Sequence, residues 1–145
     1  MSVTDAGVVN VSRALPAPPD AAFAGWIDSA LAARWLFATP DGRIVRCEID
    51  ARPGGAFVIT DRRGDDDVEH VGTYLEIDRP RRLVFTFGVP RYSSEITTVV
   101  VTVTPGQDGC EMALEHTGVP VEWRPQTEQG WRELLERLEA LLREG

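Results

Sequence analysis

The chain has 145 residues, 43% of them apolar and 26% charged, and a formal net charge of −8. That length fits one domain, residues 1–145, able to bury roughly 68–70% of its unfolded surface, and the composition is that of an ordinary globular protein. The acidic balance argues against nucleic acid as a partner, because phosphate binding needs clustered cations; all 15 basic residues are Arg, so lysine Schiff-base chemistry is excluded.

Val8 to Leu15 reads as a first strand, with Val9, Val11 and Leu15 on one face. Pro18-Pro19-Asp20 then opens a short helix, since proline is tolerated in a first turn and an acid there suits the helix dipole. Its apolar residues Phe23, Trp26 and Ile27 follow i, i+3, i+4 spacing. Asp28 can cap a second short helix carrying Leu31 and Trp35.

From Arg43 to Thr117 the period becomes two. Val45, Cys47 and Ile49 alternate with Arg46, Glu48 and Asp50, as in a half-buried strand. Pro53-Gly54-Gly55 punctuates, Ala56 to Thr60 resumes, and Arg62 to Asp67 makes a polar hairpin tip. Val68 to Ile77 returns, and Leu83, Phe85 and Phe87 form the inward face of the next strand. Tyr92 to Thr104 reads as a further strand, with Thr97, Val99, Val101 and Val103 in phase. A turn at 105–109 leads to Cys110, Met112, Leu114 and His116 on one face of the last strand. Short hairpins between most strands imply one antiparallel sheet. Near Pro125 the period becomes 3.6: Trp131, Leu134, Leu135, Leu138, Leu141 and Leu142 form an apolar stripe. A helix of roughly 28 Å cannot stand alone in water, so the stripe must lie on the concave face of the sheet.

No apolar run approaches the roughly 20 residues of a membrane span. The opening Met1-Ser2-Val3-Thr4-Asp5 lacks a basic segment followed by an apolar one, so the expected location is cytoplasmic. Cys47 and Cys110 are too far apart for a C-x-x-C site and read as free, buried thiols. No metal-binding, P-loop or nucleophile motif occurs. No cofactor or metal is expected, and no catalytic residue is assigned.

Several strings carry a family resemblance. APPDAAFAGWIDSALAARWLF (Ala17 to Phe37), DARPGGAFVI (Asp50 to Ile59), GTYLEIDRPRRLVFTF (Gly72 to Phe87), LEHTGV and GWRELLERLEALL follow one another in order. Together they resemble the START-like helix-grip (SRPBCC) superfamily, in the branch of activator of heat-shock-protein-90 ATPase homologues. Arg79 and Phe87 stand where that family often has proline and tryptophan. The resemblance implies an α+β helix-grip fold: a curved antiparallel sheet of about seven strands around a long C-terminal helix, with two short helices after the first strand.

Phase then nominates a cavity between sheet and helix. Phe57, Phe85, Val99, Val101, Met112, Leu114 and His116 would line it from the strands. Trp131, Leu134 and Leu138 would face them from the helix, with Trp35 and Tyr74 adding aromatic wall. Arg13, in phase with Val9 and Val11, and His116 are its candidate polar anchors; a buried guanidinium needs a carboxylate or a ligand anion. His70, just after the acidic hairpin tip, reads as solvated. Gly130 reads as the point of closest helix–sheet approach.

The function expected is binding of a small hydrophobic molecule: a lipid, polyketide or aromatic metabolite. A cyclase, dehydratase or hydrolase using His116 is the first rival, and chaperone-ATPase regulation by protein interaction, implied by the family name alone, comes last. The chain would act as a monomer or homodimer, without nucleic acid and without a membrane span.

Overall fold

The computed structural model describes residues 8–144. In chain order these form β1 (Val9–Leu15), α1 (Pro19–Ile27), α2 (Ser29–Ala32), β2 (Arg43–Ile49), β3 (Ala56–Arg63), β4 (Asp66–Asp78), β5 (Arg82–Phe87), β6 (Thr97–Pro105), β7 (Cys110–Thr117) and α3 (Arg124–Glu144). The seven strands make one antiparallel sheet in the order β1-β7-β6-β5-β4-β3-β2. Consecutive hairpins run from β2 to β7, and β1 returns to flank β7. No described helix is long and apolar enough to cross a membrane.

Strand register aligns the inward residues into rows. One row runs Tyr74, Phe85, Val99, His116, Val9 across five strands; the next runs Ile77, Leu83, Val101, Leu114, Val11. Alternation puts these side chains on one face, where α1 and α3 cover them. Trp131, Leu135 and Leu138 are the fully buried part of the α3 stripe, with Leu134, Leu141 and Leu142 packed beside them. Asp28 caps α2 as its chemistry requires, Oδ1 accepting from the Ala30 and Leu31 amides at 2.9 and 3.3 Å. Trp26 and Trp35 meet edge-to-face at 4.8 Å, and the Trp35 indole donates to the Gly25 carbonyl at 2.9 Å.

Four local expectations need correction. The β2–β3 register shifts between Ile44 and Arg46, and this bulge leaves Val45 39% exposed while Ile44 turns to the core. Residues 92–96 precede β6 as loop, because β6 begins only at Thr97. The close approach to α3 is made at Gly25, where a Cβ would stand 3.0 Å from Leu138 Cδ1; a Cβ at Gly130 would meet open space. Arg13 finds its carboxylate on α3: its Nε donates to Glu139 Oε1 at 2.5 Å, at the half-exposed edge of the helix. It therefore ties β1 to α3 instead of reaching into a cavity.

Both cysteines are free, Cys110 buried and Cys47 half-buried. Burial pushes the Cys47 thiol up to about 11, which leaves little thiolate at neutral pH.

Candidate functional site

The interior between sheet and helix is filled. Trp35, Val99, Val101, Met112, Leu114 and Leu138 have essentially no exposed surface. Phe57, Tyr74 and Phe85 border only a void of about 10 Å³, beside Trp26 and Phe37. A space that small is at the lower limit for one water. Six of the nominated lining residues are thus core, and three more line a gap no ligand can enter.

Open space bordered by aromatic side chains of this interior lies at one end of the sheet, in two adjoining lobes of about 510 and 330 Å³; a wider depression of about 720 Å³ on the outer face is lined mainly by polar and charged residues such as Arg46, Arg62, Asp67 and Glu69. The lobes share Phe87, Val89, Tyr92, His116 and Thr127. The larger is walled by the β5–β6 loop and by the segment leading from β7 into α3, with Val119, Pro120 and Trp123. Gly118, at φ +87°, supplies the left-handed turn that carries the chain off the sheet there. The smaller lobe lies between Phe37 to Pro40 and the α3 residues Gly130, Trp131, Leu134 and Arg137. Of the nominated residues, His116, Trp131 and Leu134 therefore line open space.

His116 is buried and tied at both nitrogens. Its Nδ1 accepts from the Trp131 indole N–H at 3.0 Å, so Nδ1 carries no proton. The neutral ring then holds its proton on Nε2, which donates to Thr97 Oγ1 at 2.7 Å, and that hydroxyl donates onward to the Phe87 carbonyl at 3.2 Å. Burial holds the imidazole pKa at about 4. This histidine joins β7, β6, β5 and α3 and has no lone pair left for chemistry.

His70 is where the structure departs most from the sequence reading. It is 5% exposed, lines the smaller lobe, and stacks on Phe37 at 4.6 Å with the rings 3° from parallel. Its Nδ1 donates to the Ile59 carbonyl at 3.2 Å, with the Val68 backbone also interacting with the ring, and in this neutral tautomer Nε2 carries the lone pair. Burial, the dominant cause, pushes its pKa down to about 4. The signal was present in the sequence: His70 is in phase with Val68 and Tyr74, both buried.

Phe37 was also missed. Its backbone has φ +61°, an outlier for an aromatic residue that costs on the order of 1–3 kcal/mol. Contacts with Phe57, Phe87, His70 and Trp131 hold it there. Beside it, Asp61 has no exposed surface; its Oδ2 accepts from Thr39 Oγ1 at 2.7 Å and Arg63 Nε at 2.8 Å, while Oδ1 has no partner among the described residues. Asp61 therefore anchors both the 37–40 wall and Arg63, which lines the smaller lobe.

Among the described residues no group of three His, Cys, Asp or Glu could hold a metal ion. The arrangement is an aromatic cleft with one imidazole acceptor and a cationic corner.

Comparison with known proteins places this architecture. The family described as Activator of Hsp90 ATPase homolog 1-like protein matches residues 16–143. Among solved structures the chain is similar to protein CV1439 from Chromobacterium violaceum, at 24% identity over 94% of this chain and 96% of that one, with a TM-score of 0.85. It is also similar to the AHSA1-like protein from Aeromonas hydrophila, at 19% identity over 92% and 90% of the two chains, TM-score 0.81. DynU16, from the dynemicin biosynthetic locus, shares 20% identity over 94% of this chain but 47% of its own, TM-score 0.76. No curated protein matches the chain.

Proposed function

Because the chain belongs to the Activator of Hsp90 ATPase homolog 1-like family, we propose that it binds one small, mostly apolar molecule in the end cleft, outside the filled interior. The observation that carries this is the confluence of the two lobes around Phe87, Val89 and Tyr92. The larger lobe, about 510 Å³, falls within the usual range of ligand pockets, roughly 300–1,000 Å³. Tyr92 and Trp123 stay exposed at its mouth, where a ligand would cover them. His70 Nε2 is the acceptor available to a ligand hydroxyl or amide. Likeness to a protein of a biosynthetic locus supports a polyketide or aromatic metabolite alongside a lipid as the ligand class.

Binding is favoured over catalysis by the same histidines. A cyclase or hydrolase needs a base of suitable strength. His116 has both nitrogens engaged, and His70, at about 4, offers little proton affinity at neutral pH.

Thr127 lines both lobes from the start of α3 and is only half-buried, so Thr127→Trp fills the cleft without disturbing the core. The neutral fluorophore N-phenyl-1-naphthylamine should bind the parent with one-to-one saturation. The variant should lose about tenfold or more in affinity, equivalent to about 1.4 kcal/mol, with an unchanged urea midpoint. Equal binding by the two proteins would remove the cleft as the site.

A further inference from the structure

The smaller lobe carries a feature that apolar binding alone does not use. Most arginines in this chain are paired: Arg34, Arg46, Arg62, Arg79, Arg82 and Arg91, for example, each lie within 3.3 Å of a carboxylate. Arg137, half-buried on α3 and lining the lobe, pairs with no carboxylate among the described residues. Glu133, one turn before it, accepts instead from Gln129 Nε2 at 3.0 Å. Arg63, which also lines the lobe, spends only its Nε on the buried Asp61, so its two terminal nitrogens have no partner among the described residues. The burial of Asp61 fixes where that guanidinium sits. His70 beside it is neutral, so the positive charge of the lobe comes from the two guanidinium groups. Glu133 is the one acidic side chain lining the lobe, and it is exposed.

We propose that the cleft selects an amphipathic monoanion, with the apolar body among Phe87, Tyr92, Val119 and Trp123 and a carboxylate head held between Arg63 and Arg137. This rests on the end cleft being the ligand site. Two guanidinium groups lining one lobe, Arg63 from β3 and Arg137 from α3, offer charge-assisted hydrogen bonds to a carboxylate head. A single negative head suits the site better than a polyanion, because the net charge of −8 repels multiply charged ligands.

The test displaces N-phenyl-1-naphthylamine, which is neutral, with dodecanoate and with dodecan-1-ol at pH 7.5. Dodecanoate should displace it at about one-tenth the concentration that dodecan-1-ol requires, and added salt should shrink that ratio. Arg137→Gln should bring the ratio, read against dodecan-1-ol in the same variant so that any change in reporter affinity cancels, to about threefold or less; Arg137→Lys should restore part of it. Equal displacement by acid and alcohol in the parent, or an acid preference that survives Arg137→Gln, overturns the proposal and leaves the cleft reading intact. A reporter that fails to bind, or that binds Thr127→Trp equally well, overturns both.

Discussion

Ending the chain after Gly130 should abolish cooperative unfolding. The segment removed carries Trp131, Leu135 and Leu138, all buried against the sheet and α1. Full burial of such side chains stabilises by about 1.5–3 kcal/mol each, so these three represent about 5–9 kcal/mol. A domain of this size has a net stability of about 5–15 kcal/mol, and the loss would consume most or all of it. Truncation also removes Glu139, the partner of Arg13, and the indole that satisfies His116 Nδ1. Left behind are a buried imidazole acceptor and an uncovered apolar sheet face. Thermal melting followed by circular dichroism checks this. A truncated protein that melts sharply near the parent temperature would show that α3 is an appendage.

Stability should also fall steeply as pH drops from 6.5 towards 4.5. The chain has only two histidines, and burial holds both at about 4 in the fold, against an ordinary value near 6.5. Between those values the unfolded chain binds protons that the folded chain refuses, so lowering the pH favours unfolding. Each unit of difference is worth about 1.36 kcal/mol, giving about 2 kcal/mol lost per histidine at pH 5. Two histidines bring the loss to about 4 kcal/mol, a large share of the total. The arginine-paired carboxylates titrate lower. Asp20, Glu48, Asp67 and Glu139 are held below their ordinary range by guanidinium hydrogen bonds, so their contribution disappears only as pH falls further. Urea denaturation at pH 7.5 and pH 5 separates the two windows. Equal stability at the two pH values would mean that neither imidazole is buried as described.

The strand and helix pattern was legible because it depends on local chemistry: period-two alternation, a capping Asp28, and a 3.6-residue stripe in α3. Where the reading failed, the cause was in most cases not local. Val45 alternates correctly with Arg46, but a bulge moves it to the surface, and bulges leave no periodic trace. Phase put Val99, Val101, Met112 and Leu114 on the inward face, where they are. Phase cannot say whether the opposing side chains touch, and here Trp26, Trp35 and Trp131 close the gap. His70 was misjudged for its nearness to an acidic tip, although its own phase pointed inward. Arg13 was read as needing either a carboxylate or a ligand anion, and the carboxylate it meets, Glu139, lies 126 residues away in sequence, beyond the reach of any local pattern. The cleft itself is framed by the loops after β5 and β7 and by the left-handed turn at Phe37, none of which follows a period.

The four tryptophans allow a direct test of where a ligand goes. Trp123 and Trp131 line the end cleft, one in each lobe. Trp35 is buried in the interior with its indole bonded to Gly25. In a nitrogen-15-edited spectrum of the indole N–H groups, titration with N-phenyl-1-naphthylamine should shift Trp123 and Trp131 and saturate at one equivalent, with Trp35 unmoved. A shift at Trp35 with Trp123 and Trp131 unmoved would place the ligand inside the sheet and contradict an end-cleft site.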